Sequence, residues 1–182
     1  MTRLTVGDPD AMHELGRRLG GRLRAGDLVI LTGPLGAGKT TLTRGIGEGL
    51  GIRGPVTSPT FVLARTHPSL IEGPPLVHVD AYRLGSALEL DDLDIDFAGS
   101  VVVAEWGEGL LDGVSDSVLE IVIERPSGAA ADGGQPAQSA AAPDDEISEE
   151  PLEPRTLTFS TVGKRWEGAD FAALDPAGSQ LH

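Results

Sequence analysis

Residues 28–45 read LVILTGPLGAGKTTLTRG. Four apolar residues, Leu28 to Leu31, run into a glycine-rich stretch, and a lysine and two threonines follow. A short run that is apolar at every position reads as a strand of a buried parallel sheet. After Gly38, Leu42, Ile46 and Leu50 recur at helical spacing, and Gly51 marks the helix end. Between strand and helix, Gly33-Pro34-Leu35-Gly36-Ala37-Gly38-Lys39-Thr40 fits the pattern G-x-x-x-x-G-K-[ST]. Glycines let such a loop curl so that successive N–H groups point at phosphate oxygens, and the helix turns its positive N-terminus toward the same oxygens. Lys39 is expected to neutralise β- and γ-phosphates, and the Thr40 hydroxyl to ligate Mg²⁺. Gly33, Gly36, Ala37, Gly38, Lys39, Thr40 and Thr41 are therefore the candidate nucleotide contacts. The alternative is an ordinary glycine-rich turn. Against it, Lys39 and Lys164 are the sole lysines beside twelve arginines, and a slim point charge suits a closed phosphate cradle better than a planar fork.

Outward from this unit, strand and helix signals alternate. Asp8-Pro9 reads as an N-cap and first helical turn, with Met12, Leu15, Leu19 and Leu23 on one helical face. Strands are expected over 60–66, 76–80 and 101–105. Ser86 and Glu89 have capping-box spacing. Residues 118–124 and 155–161 alternate more clearly and read as an antiparallel edge. The pattern predicts a single α/β P-loop domain over residues 1–170, with a mostly parallel, mixed sheet flanked by helices. Residues 127–150, SGAAADGGQPAQSAAAPDDEISEE, carry six acids and no base. Such a segment buries too little apolar surface to offset its ordering entropy, so it reads as a disordered insertion. Residues 171–182 read as a loose tail.

Composition narrows the function. The 182 residues include 28 acidic and 14 basic ones, for a net charge of −14. Nucleic-acid binders need basic surface, so no extended nucleic-acid contact is expected. There is no cysteine, which excludes disulfides and thiolate metal sites. The first ten residues have no signal-peptide core and no run approaches a membrane span, so no membrane role and a cytoplasmic location are expected.

A P-loop needs an acid on a neighbouring strand to hold Mg²⁺ and its water shell. Val77-His78-Val79 ends in Asp80, and Val101 to Ala104 ends in Glu105. Both acids leave the carboxyl ends of apolar strands, where open α/β sheets place their ligands. Local sequence does not say which holds the metal and which orients the attacking water. Ser58-Pro59-Thr60-Phe61 lies where many P-loop proteins sense the γ-phosphate, although turn chemistry alone accounts for Ser-Pro. His78 shares the strand face of Asp80; by itself it reads as a packed strand histidine. Trp106 either stacks near the nucleotide or covers the sheet edge.

Taken together, GPLGAGKTT, VTSPTF, HVDAYRL and AEW, in this order, resemble the TsaE family. These are small bacterial P-loop ATPases required for threonylcarbamoyladenosine in transfer RNA. The likeness runs from about Leu15 to Glu108 and more loosely to Trp166. It implies a P-loop domain with a mixed sheet, ATP or ADP bound with Mg²⁺, and two partner proteins, TsaB and TsaD. TsaD transfers the threonylcarbamoyl group, and hydrolysis by TsaE resets the complex. By position, the resemblance gives Mg²⁺ to Thr40 and Glu105, puts Asp80 by the γ-phosphate, and sets Lys39, Asp80 and Glu105 as the catalytic group. It places Ser58, Thr60 and Trp106 in functional loops, and Arg155 matches an arginine near the start of the last strand. The insertion departs from the compact family pattern. Arg65, Arg83 and Arg155 are the candidates for an arginine finger within the chain. A small-molecule kinase is a second reading, but such kinases carry an arginine-rich lid, and the late segment is acidic. A non-catalytic nucleotide switch is a third; Asp80 and Glu105 together favour hydrolysis.

Overall fold

The computed structural model describes residues 1–57, 59, 63–84, 92–106, 114–125 and 153–176. Along the chain it contains β1 (Thr2–Val6), α1 (Pro9–Gly20), β2 (Leu28–Thr32), α2 (Lys39–Gly49), β3 (Ala64–His67), β4 (Leu76–Asp80), β5 (Val101–Glu105), β6 (Val118–Glu124) and β7 (Arg155–Val162). The strands form one sheet in the order β1-β7-β6-β2-β5-β4-β3. β2 lies between β5 and β6 and is parallel to both, and β4 continues the parallel block beyond β5. β3 closes one side and β7 with β1 the other, all antiparallel. The sheet is thus mixed with a parallel centre, as expected. The parallel centre points the carboxyl ends of β2, β4, β5 and β6 to one side, and the loop after β2 opens there.

The edge differs from expectation. β6 and β7 do pair antiparallel, but β1 adds a further strand outside β7, with Leu4 opposite Leu157. Its signal was the alternation of Arg3-Leu4-Thr5-Val6, in which Leu4 and Val6 are buried. The strand expected over 60–66 is seen from Ala64 onward; Thr60, Phe61 and Val62 lie outside the described residues, as do the Ser86–Glu89 capping box and residues 127–150. The tail boundary is corrected. Phe171 and Leu174 are buried core residues, and Phe171 stacks on Phe159 with centroids 5.3 Å apart. Arg18 and Arg22 of the N-terminal segment hold the carbonyls of Asp175 and Asp170. Residues 171–175 therefore pack because two apolar side chains, spaced by a 3-10 turn at 172–174, reach the core; residues 177–182 lie outside the described residues.

α1 begins as its sequence predicts, with the Asp8 carboxylate accepting from the Ala11 N–H at 2.7 Å. It buries Met12, Leu15 and Leu19 against one face of the sheet, beside Leu42 and Ile46 of α2. Each such Leu or Ile contributes about 1.5–3 kcal/mol relative to exposure. The two helices touch backbone to backbone. A Cβ built on Gly16 would lie 2.3 Å from the Leu42 carbonyl oxygen, and one on Gly45 would lie 2.1 Å from that of His13. Gly20 and Gly49 repeat the contact one turn on, at 2.3 Å and 2.2 Å. Glycine at these four positions is required by the approach distance, and it fixes α2, and hence the loop that feeds it, against α1.

Candidate functional site

The loop after β2 reaches α2 through Gly38, whose φ of 105° is left-handed backbone that a Cβ would strain. No side chain caps the first turn of α2, so its first N–H groups are left for another acceptor. Lys39 is the first residue of that helix and is only 5% exposed. Its Nζ donates to the carbonyls of Gly33 at 2.8 Å and Pro34 at 3.1 Å. The same Nζ sits 4.1 Å from the centroid of the Trp106 ring, within cation–π range. Burial pushes the Lys39 ammonium below its ordinary pKa, while the Glu105 and Asp80 carboxylates act against that shift. The cradle thus holds one desolvated cation that faces two acids.

Glu105 ends β5 and pairs in register with Asp80 at the end of β4. Thr40 follows Lys39 on α2, and its hydroxyl donates to Glu105 Oε1 at 3.4 Å. Hydroxyl and carboxylate oxygens at the foot of a phosphate loop form a hard donor pair that fits Mg²⁺, which keeps several waters and takes its other ligands from phosphate. Asp80 is half-buried, with its backbone N–H on the Leu63 carbonyl. Trp106 comes directly after Glu105 with φ of 66°, an outlier for a bulky residue. Its backbone N–H donates to the Leu31 carbonyl at 2.9 Å, which ties the residue to the end of β2 beside the loop. Tyr82 stands 6.0 Å from the indole ring. Trp106 thus lies against the P-loop lysine.

The structure brings together Gly33, Gly36, Ala37, Gly38, Lys39, Thr40, Thr41, Glu105 and Trp106, with Asp80 acting on the same cation. Ser58 and Thr60 lie outside the described residues. Arg155 is at the same end of the sheet but two strands from β2, and it binds Glu153 through backbone and carboxylate oxygens; no contact among the described residues joins it to the loop. Arg65 bonds the Thr57 hydroxyl. Two residues were missed or undervalued. Arg125, at the end of β6, reaches the Gly36 carbonyl with Nη2 at 3.4 Å. The signal available was its place after an apolar strand parallel to β2. His78 is fully buried, and its Nε2 lies 3.0 Å from Glu105 Oε1.

Comparison with known proteins points to one family. A sequence profile described as "Threonylcarbamoyl adenosine biosynthesis protein TsaE" matches residues 6–131. The chain is similar to the tRNA threonylcarbamoyladenosine biosynthesis protein TsaE of Streptomyces coelicolor, at 53% identity over 90% of this chain and 99% of that one. It is also similar to the protein of the same name from Bacillus subtilis, at 34% identity over 88% and 85% of the two chains. Among solved structures, that of Bacillus subtilis YdiB aligns with a TM-score of 0.62 and 28% identity, covering 98% of this chain and 96% of that one.

Proposed function

Since this chain belongs to the TsaE family, we propose that it binds and hydrolyses ATP with Mg²⁺ on the Gly33–Thr40 loop. We further propose that it serves threonylcarbamoyladenosine modification of transfer RNA in the cytoplasm, acting through TsaB and TsaD. The observation that carries the reading is the convergence of Lys39, Thr40 and Glu105 at the carboxyl end of the parallel block.

The residues divide the work by their chemistry. The loop N–H groups and the start of α2 bind the phosphates. Lys39 exchanges its carbonyl partners and the Trp106 ring for phosphate oxygens, which recovers the charge pairing that burial denies it. Thr40 and Glu105 hold Mg²⁺, which would neutralise charge on the transferring phosphoryl group. Asp80 orients the water that attacks. With 28 acids against 14 bases, the chain is suited to act on an RNA pathway through protein contacts. Leu35 on the loop and Tyr82 after β4 are 90% and 77% exposed; they border the site and suit such a contact.

Separate variants test the two acids. Glu105→Ala is expected to weaken Mg²⁺-dependent nucleotide binding by about tenfold or more and to leave Mg²⁺-free binding intact. Asp80→Ala is expected to keep binding and slow hydrolysis. Nucleotide titrations with and without Mg²⁺ check both, and the reverse pattern exchanges the roles.

The partner arm is tested by steady-state ATPase activity of the protein alone and then with increasing TsaB and TsaD. Hydrolysis alone should be slow, because an arginine finger supplied in trans is worth roughly 10³ to 10⁵ in rate. Of the three candidate fingers, Arg65 and Arg155 are engaged elsewhere, and the side chain of Arg83 lies outside the described residues. A rate already high alone and unmoved by the partners rules out completion of the site by them.

A further inference from the structure

We propose that His78 is a positioning residue: it orients the Glu105 carboxylate for Mg²⁺. The inference rests on the assignment of Glu105 to the metal made above, and it extends the site one layer inward.

His78 sits in the middle of β4, between Leu76, Val77 and Val79, all of them buried. Its Nε2 lies 3.0 Å from Glu105 Oε1. A carboxylate can only accept, so Nε2 carries the proton and donates. In the neutral imidazole this leaves Nδ1 as a bare acceptor, and Nδ1 is buried without a hydrogen-bond partner among the described residues. An orphaned buried polar atom costs about 1–3 kcal/mol. A phenylalanine or leucine would fill this stretch of an otherwise apolar strand without that cost. Packing alone therefore does not account for the imidazole; the bond to Glu105 does.

The geometry gives that bond a purpose. His78 and Asp80 share one face of β4, and Val103 and Glu105 share the same face of β5. Glu105 is thus approached from below by His78 and from α2 by Thr40, whose hydroxyl donates at 3.4 Å. Among the described residues both side-chain bonds to Glu105 fall on Oε1. They hold the carboxylate plane from two directions and leave Oε2 for an incoming ligand. The rigidity comes from His78, which is wholly enclosed, because Thr40 itself would turn to the metal.

The test uses the full chain and three proteins: wild type, His78→Phe and His78→Gln. Phenylalanine keeps the packed ring and removes the donor, whereas glutamine keeps an N–H. ADP is titrated calorimetrically across a Mg²⁺ series from none to excess, and melting temperature is followed alongside. His78→Phe should raise the Mg²⁺ concentration for half-maximal enhancement by about 10- to 100-fold and leave Mg²⁺-free ADP affinity unchanged. His78→Gln should recover most of the loss. An unchanged Mg²⁺ dependence in His78→Phe overturns the proposal. Should that variant fail to fold, long-range ¹H–¹⁵N spectra of the metal-free wild type decide: a proton on Nε2 of His78 supports the inference, and an unprotonated Nε2 overturns it. Wild-type ADP binding that ignores Mg²⁺ overturns the assignment of Glu105 itself, a failure read in the wild-type arm and so distinct from failure of the His78 inference.

Discussion

Lys39→Ala is expected to slow ATP hydrolysis by roughly 10² to 10³, the loss that follows removal of one preorganised electrostatic donor worth about 3–4 kcal/mol in the transition state. Lys39 is 5% exposed, and its ammonium rests on the Gly33 and Pro34 carbonyls and the Trp106 ring. In that dry setting its charge is worth far more to a developing phosphate charge than it would be in water. Folding should survive the change, because the same burial pushes the ammonium's pKa down and so marks a charge that the folded state holds at a cost. Lys39→Arg should not restore the rate, since a planar guanidinium does not fit a cradle closed around a point charge. Phosphate release at saturating ATP, with melting temperature as the control, measures both variants. Hydrolysis by Lys39→Ala at the wild-type rate would remove the loop from the mechanism.

Gly45→Val is expected to destabilise the fold severely. Even Gly45→Ala sets two effects of opposite sign against each other. Alanine gains about 1 kcal/mol of helix propensity over glycine. Its methyl would also meet the His13 carbonyl oxygen at 2.1 Å and the Arg17 nitrogen at 2.9 Å. Both are backbone atoms of α1, so no side chain can turn aside, and the helices must separate. Separation loosens Leu15, Leu19, Leu42 and Ile46 together. Overpacking alone costs about 1–3 kcal/mol, occasionally more, and valine adds two further carbons. A loss of about 3 kcal/mol lowers the melting temperature of a chain this size by about 6–12 °C. The same shift moves the start of α2, so nucleotide affinity should fall with stability. Gly7→Ala, where a Cβ meets nothing within 4 Å, is the matched control. A Gly45→Val protein that melts with wild type would show that the helices are not held by backbone contact.

Part of this protein was legible in the chain alone because the signals are local. The apolar run at 28–32, the glycines and lysine at 33–40 and the helical spacing of Leu42, Ile46 and Leu50 define a strand, a phosphate loop and a helix within one turn of each other. Asp8 caps α1 for the same reason: an N-cap is read from a few consecutive residues. Asp80 and Glu105 were recognisable as strand-end acids, since the end of an apolar run is visible in sequence. Three things were settled only in space. The strand order makes β4 and β5 neighbours and sets Asp80 beside Glu105, although 24 positions of other sequence lie between them; register is a property of pairing, which no single strand encodes. The pairing of Gly16 and Gly20 with Gly45 and Gly49 depends on how close two helix axes come, and glycine spacing acquires that meaning only once the helices are known to touch. His78 looked like packing because its strand neighbours are apolar. Its role lies across the sheet, where a buried imidazole meets a carboxylate from a strand 27 residues away, and a hydrogen bond at that separation exists only when the tertiary structure closes it.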